Sequence, residues 1–470
     1  MTSVAVHTFV IEPIWNSESG VTATPVAVLR TPAAVSVIVP SWSTPSVAPG
    51  TRWRRISSVS RYCQAAASNG PEGAEPETGV GIRSSVRAVT SNPSPSLRAG
   101  VVGTGFVGVV HVHALRLLGV DVAGVVGSSP ERAAAKGIAH VYDSLDALLA
   151  DPSVDVVHLT TPNHLHHPQV KQVLEAGKHV VCEKPLAMTS EESGELLRLA
   201  EASGLVHCTN FNLRFFPLVL EARARVASGE VGDVWNVHGG YLQDWLLYPT
   251  DWNWRLEPEK GGTLRAIGDI GSHWMDMAQF VSGRRIVEVC ADLHTTIPVR
   301  RRPIGEVETF ASADDVERED AAMATEDIGH VLVRFEGGAR GAFKVSQGAA
   351  GRKNHLHFEV DGSEAALAWN AERHEELWLG RRDEPNATLQ RNGALMQPGA
   401  AGHTFLPAGH PEGWVDTFRE LYRSVYAAAA AGSPPTEPSY PTFTDGHRAN
   451  VLGDAIALSN AERRWVEVPA

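Results

Sequence analysis

Three stretches of this sequence carry residue types that could do chemistry. Lys184 stands in Val181-Cys-Glu-Lys-Pro185 at the end of an apolar run. A lysine at that end of a parallel strand can be desolvated toward a useful pKa. Asp269 and His273, in Gly268-Asp-Ile-Gly-Ser-His273, are four apart, which places a carboxylate and an imidazole on one face of a helix. Such a pair suits proton transfer to or from a hydroxyl. Each has a plainer reading alone: a capping cation before a turn, or a capping Asp beside a half-buried His. The third stretch, Gly103-Thr-Gly105-Phe-Val-Gly108, has the spacing of a dinucleotide-binding turn. There Gly103 serves the turn, Gly105 admits a pyrophosphate, and Gly108 lets a helix pack closely on its strand.

The elements needed to hold these groups are legible around them. The glycines interrupt an apolar run that resumes with helical spacing through Val109, Val112, Leu115 and Leu118. Regular alternation then predicts strands over 120–127, 155–161, 179–183 and 206–211. Helices are expected from Pro130, over 143–150 and 164–176, and from a Thr189–Glu192 capping box to Gly204. That is a doubly wound parallel sheet, with ligands at the carboxyl ends of its strands. After about residue 217 the texture changes. A long strand over 234–245 and one helix over 268–281 precede a hairpin over 328–347, turning at Glu336-Gly-Gly338. Strands over 356–360, 365–369 and 376–379 follow, with helices over 414–431 and 445–464. The fold class expected is an α/β Rossmann domain (97–216) followed by an α+β domain (217–470) with a large, mostly antiparallel, open-faced sheet.

The glycine turn brings Phe106 and Val107 into the cofactor set with Gly103, Gly105 and Gly108. Thr161, Pro162, Asn163 and His166, following a strand, are placed to meet the nicotinamide ribose. Glu183, Lys184 and Asn212 complete the expected cofactor contacts. The second strand ends at Gly127-Ser128-Ser129 with Arg132 one turn on, and no acid stands there to bind a ribose 2′-hydroxyl. Two hydroxyls and a guanidinium could hold a 2′-phosphate, which tilts the reading to NADP over NAD, with dual use open. Ser129 as a simple helix cap is the alternative. Around Lys184, Asp269 and His273, the residues Arg214, Tyr241, Gln243, Trp245, Trp254 and Arg255 interleave rings with polar groups, as a sugar requires. Trp252 and Trp254 could equally be core. Arg352 and Asn354 either reach the cleft or hold the sheet. His164, His166 and His167 read as a helix start, and His111 and His113 lie on different faces, so no metal site is expected.

Composition narrows the class. Hydrophobic content of 43% and charged content of 20% suit a soluble globular protein. A net charge of −13 argues against nucleic acid or an anionic membrane as partner. The first 98 residues hold eight Arg and five Glu but neither Lys nor Asp, so the negative charge belongs to the rest. Residues 1–96 read as a low-complexity, disordered tail without a secretion signal or membrane span. Cys63, Cys182, Cys208 and Cys290 lack metal-ligand spacing and read as reduced thiols, hence a cytoplasmic protein. An uncovered sheet face predicts an exposed apolar surface, and with it a homodimer or tetramer.

From about Leu97 to Val468 the motifs GTGFVG, TTPNHLH, CEKPL and DIGSH occur together, and the chain resembles the glucose–fructose oxidoreductase and inositol dehydrogenase (Gfo/Idh/MocA) family. The resemblance implies hydride transfer between a sugar or polyol carbon and C4 of a nicotinamide. It implies that Lys184 hydrogen-bonds the reacting hydroxyl, that His273 takes its proton, and that Asp269 orients substrate or histidine. The segment around Trp254 is similar to one in members that oxidise anhydrosugars or glycosides. Two alternatives stand beside a sugar dehydrogenase: an NAD-dependent glycoside hydrolase on the same fold, and a non-catalytic dinucleotide-binding sensor.

Overall fold

The computed structural model describes residues 97–138, 140–304 and 316–470. The tail expected over residues 1–96 lies outside the described residues. The described chain begins with strand β1 (Arg98–Val102), which runs through the glycine turn into helix α1 (Phe106–Leu118). Strand β2 (Asp121–Val126) is followed by α2 (Pro130–Ala135) and α3 (Leu145–Ala150), then β3 (Val156–Leu159) and α4 (His166–Glu175). Strand β4 (His179–Cys182), helix α5 (Ser190–Ser203) and β5 (His207–Thr209) complete a five-stranded parallel sheet, ordered β2-β1-β3-β4-β5. Its strands are largely buried and mostly apolar, as suits strands covered on both faces. The capping chemistry differs from expectation in one detail. Thr189 accepts the Glu192 N–H, but the Glu192 carboxylate reaches back to the Met188 N–H instead of that of Thr189.

Helix α6 (Pro217–Ala227) leads to strand β6 (Val234–Leu242), the short helix α7 (Pro258–Gly261) and helix α8 (Ser272–Ser282). A run of strands follows: β7 (Ile286–His294), β8 (Val299–Pro303), β9 (Arg318–Ala322), β10 (Ile328–Phe335), β11 (Arg340–Ser346), β12 (His355–Gly362), β13 (Ala366–Asn370), β14 (Glu376–Gly380) and β15 (Ala387–Gln390). Helices α9 (Pro398–Ala401), α10 (Trp414–Ala430) and α11 (Phe443–Glu462) and strand β16 (Val466–Glu467) end the chain. Nine strands form one sheet in the order β15-β14-β13-β12-β6-β11-β10-β7-β16, antiparallel except where β11 meets β6. β8 and β9 form a separate ribbon.

The inner face of the large sheet, with Val289, Val331, Phe343, Leu356 and Phe358, packs against α6, α8 and α11. Trp274 of α8 is fully buried and stacks on Phe343 at 4.5 Å. The opposite face, uncovered by helices among the described residues, is mixed, with Trp235 exposed on it. That face presents His238, His330, Lys344, Glu359 and Asp361, with Leu332 exposed among them. The sequence order also misleads about α10. Although it follows residue 217, its Phe418, Leu421, Tyr422 and Val425 join Val112 and Leu115 of α1 in the core of the first domain.

The helix expected over 268–281 is two pieces. Residues Ile267–Gly271 form a π-helical turn, and α8 proper starts at Ser272. Such turns recur where a side chain must be re-aimed at a functional site. The buried carboxylate of Glu326 anchors its start, accepting the Arg265 N–H at 3.0 Å and the Ile267 N–H at 2.8 Å. Replacing Glu326 with Ala leaves two buried N–H groups unpaired, at a cost of about 2 kcal/mol or more. Thermal denaturation followed by circular dichroism should show a midpoint several degrees below wild type.

Candidate active site

The glycine turn is built by exclusion. Gly103 adopts φ 97°, and a Cβ there would lie 2.8 Å from the Thr160 carbonyl oxygen. A Cβ on Gly108 would lie 2.2 Å from the Gly103 carbonyl oxygen, so only glycine lets α1 sit this close to the strand. At Gly105 a Cβ would meet nothing within 4 Å. The side of the turn from which a phosphate approaches is therefore open. Gly105 is the N-cap of α1, with no side-chain cap and no acidic residue in the first turn. The positive end of a helix beside open space fits a pyrophosphate. Lys136 donates to the Thr104 carbonyl at 2.8 Å and Thr104 to that of Gly127 at 3.0 Å, tying the turn to the end of β2. Phe106 is half exposed and stacks on Trp414 of α10, a partner the sequence did not disclose. Val107 is partly buried against the core of the first domain.

At the end of β2, Ser129 accepts the Arg132 N–H and so caps α2, while the Ser128 hydroxyl donates to the Ser129 carbonyl. Both serines and Arg132 are exposed or nearly so. Beyond β3, Thr161 donates to Gln169 and Asn163 to the Gly261 carbonyl, the latter bridging to the second domain next to Pro162. His166 is buried, with one ring nitrogen 2.7 Å from the Pro185 carbonyl and the other 2.9 Å from that of Thr161. It sits between the loops that follow β3 and β4. Asn212 likewise points inward, donating to Thr417 of α10.

Lys184 and Asp269 meet at the junction of the two domains. Lys184 Nζ donates to the Asp269 carbonyl at 2.7 Å and to Oδ1 at 2.8 Å. The same Oδ1 accepts from Arg255 Nε at 3.1 Å, and Oδ2 from Gln347 Nε2 at 2.7 Å. Burial opposes the charge on Asp269, but Lys184 and Arg255 outweigh it and hold the carboxyl well below the usual carboxylate range. With both oxygens engaged in this way, the carboxylate orients Lys184, and no hydrogen bond to His273 is seen among the described residues. His273 lies between the rings of Phe211 and Tyr241. Burial, and then the Lys184 cation, push its imidazole down to about 3.

Of the expected sugar contacts, Tyr241, Gln243 and Trp245 form one chain. Trp245 Nε1 donates to Gln243 Oε1, and both Gln243 and Tyr241 donate to Asn354 Oδ1. Trp254 carries the Arg255 guanidinium 4.4 Å above its ring, linking this wall to Asp269. Arg214 is elsewhere. It is clamped on both oxygens of Asp276 and on Asp445, tying α8 to the start of α11. Gln347, which the sequence reading missed, sits at the exit of β11 with no motif to mark it.

Glu183 also departs from expectation. Its carboxylate faces inward, accepting from His111 Nε2 at 2.9 Å and from Asn210 at 2.5 Å. A carboxylate only accepts, so His111 carries a proton on Nε2, and its Nδ1 lies 3.1 Å from Nδ1 of His158. His158 Nε2 hydrogen-bonds the Tyr426 hydroxyl at 3.0 Å. Burial and the neighbouring His111 keep His158 neutral. The network fixes the residue preceding Lys184 from below. In sequence, His111 and His158 occupy apolar positions of a helix and a strand and give no signal.

Residues 97–211 match the oxidoreductase family's NAD-binding Rossmann fold, and residues 219–368 match the GFO/IDH/MocA C-terminal domain. Levoglucosan dehydrogenase of Pseudarthrobacter phenanthrenivorans is 30% identical over 397 residues, 80% of this chain and 98% of its own. Its solved complex with NADH and levoglucosan superposes with a TM-score of 0.71 at 30% identity, covering 80% of this chain and 100% of that one. The 1,5-anhydro-D-fructose reductase of Ensifer adhaerens is 37% identical over 192 residues, 39% of this chain and 56% of its own.

The glycine geometry separates binding from folding. Gly105→Ala should keep the wild-type melting temperature yet weaken NADH binding, read by fluorescence titration, roughly tenfold or more. Gly108→Ala should lower the melting temperature by several degrees, because its methyl meets backbone.

Proposed function

The chain belongs to the Gfo/Idh/MocA oxidoreductase family, and on that premise we propose that it oxidises one ring hydroxyl of a sugar or anhydrosugar to a ketone, with Lys184, Asp269 and His273 handling the proton. The observation that carries this reading is the Lys184–Asp269 pair beside a neutral, buried His273, at the mouth of a parallel sheet whose glycine turn is open to a pyrophosphate. A bound oxidised nicotinamide supplies the hydride acceptor at its C4. Lys184 donates a hydrogen bond to the reacting hydroxyl and stabilises negative charge on that oxygen as the carbon gives up hydride. Asp269 pairs with Lys184 and fixes its Nζ. His273, unprotonated in the resting site, accepts the hydroxyl proton. Products are the carbonyl compound, the reduced nicotinamide and one proton carried by His273. In the reverse direction protonated His273 returns it.

The substrate class follows from the wall of the site. Trp254, Arg255, Tyr241, Gln243 and Trp245 offer ring faces and amide or guanidinium donors, the complement of a pyranose. Levoglucosan, the ligand of the solved relative, is the first sugar to test. For the dinucleotide we read the end of β2 as open to a 2′-phosphate. No carboxylate stands there, and Ser128 and Arg132 are accessible although Ser129 caps its own helix. NADP is the favoured partner, with NAD accepted.

The test is absorbance at 340 nm with levoglucosan, other anhydrosugars, free monosaccharides and polyols, each with NAD and with NADP. Turnover with a sugar class, abolished by Lys184→Ala or His273→Ala while NADH still binds, is the expected result. Silence across the panel with NADH binding intact would refute it. The pH dependence has a defined sign. Because the free-enzyme His273 is depressed to about 3, kcat/KM for oxidation should not fall as pH drops through 6.5, where an ordinary imidazole would protonate.

A further inference from the structure

The segment carrying Trp252, Trp254 and Arg255 is held from behind by a buried guanidinium outside the described catalytic set. Arg300, on β8 of the small ribbon, is fully buried. Its Nη2 donates to the Leu246 carbonyl at 2.9 Å and its Nη1 to that of Tyr248 at 3.0 Å and Asp251 at 3.4 Å. Its charge is met by Asp327 Oδ1 at 2.7 Å. The same oxygen accepts from Arg265, also buried, and Arg265 Nη1 donates to Gln347 Oε1 at 3.3 Å. Gln347 Nε2 in turn donates to Asp269. The route closes on itself, because Arg255, at the far end of the same loop, donates to Asp269 Oδ1. The ribbon adds two backbone ties, from Arg301 N–H to the Pro249 carbonyl and from Arg318 to that of Thr250.

We propose that Arg300 and Asp327 are positioning residues that fix the 244–255 loop against Asp269 and thereby set the affinity for the sugar. Burying ionic groups is a poor route to stability, since desolvation offsets their attraction. What a guanidinium offers here is a rigid planar fork reaching three carbonyls of one loop and a carboxylate at once. Those carbonyls belong to the turn between Trp245 and Trp254, so their placement sets where both side chains stand. The link through Arg265 and Gln347 makes loop pose and catalytic carboxylate parts of one hydrogen-bonded circuit.

The sugar-affinity part rests on the function proposed above, so the test has two independent readouts on the full chain. In Arg300→Met, hydrogen–deuterium exchange over residues 244–255 should accelerate roughly tenfold or more while α8 is unchanged. KM for levoglucosan should rise roughly tenfold, with kcat and NADH affinity within about threefold. Arg300→Lys, which keeps the charge but not the fork, should fall between Met and wild type in both. If Arg300→Met does not fold, Arg300→Lys decides by the same signs. Loop exchange at the wild-type rate overturns the positioning role, and so does faster exchange with KM unchanged. Faster loop exchange in a protein whose wild type oxidises no sugar would leave the loop clamp standing and sink the sugar-oxidation reading alone.

Discussion

One buried carboxylate organises the site. Asp269 collects a hydrogen bond from each of three side chains that arrive from different parts of the chain: Lys184 after β4, Arg255 on the loop after β6, and Gln347 at the end of β11. A charge taken out of water survives only where such partners meet it. Here the partners outweigh the burial that opposes ionisation. The consequence reaches past Asp269. Lys184 is fixed at the sheet's mouth, its cation helps keep His273 unprotonated, and the aromatic loop is held by Arg255.

Around that charge the fold supplies two rigid supports. On the first domain's side the chain is placed by exclusion at Gly103 and Gly108, where any side chain would collide with backbone, while Gly105 leaves the approach free. Below Lys184, the Tyr426–His158–His111–Glu183 chain runs through the core of the first domain and ends on the inward-facing carboxylate. On the second domain's side, Glu326 pins the start of the π-helical turn that presents Asp269. Adjacent residues thus serve both parts of the site, since Asp327 holds the clamp on the loop.

The parallel sheet and the glycine turn were legible because their signals are local: apolar runs, glycines at fixed spacing, Pro130 and Ser129 at a helix start. The Lys184, Asp269 and His273 motifs were readable as types, but their pairing was not. Four-residue spacing suggested an Asp269–His273 couple, whereas the carboxylate turns to groups distant in sequence. Arg214 looked like a sugar contact because a polar residue after a strand reads the same whether it meets a hydroxyl or a carboxylate 62 residues away. The inward partners of His166, Glu183 and Asn212 were hidden in the sequence for the same reason. The strands β8, β9, β15 and β16 went unseen, being short, charged or at a sheet edge, and β7 went unseen as well. The clamp of Arg265, Arg300 and Asp327 left no pattern, because its members meet only after the large sheet and the ribbon have formed.

The measurement that bears most directly on the central claim is the turnover of Asp269→Asn, followed at 340 nm with levoglucosan and NAD or NADP beside the wild type. The substitution preserves shape and removes the charge that gathers Lys184, Arg255 and Gln347. The account requires kcat to fall roughly a hundredfold while NADH affinity stays within about threefold. Turnover close to that of wild type would show that the buried carboxylate does not organise the chemistry.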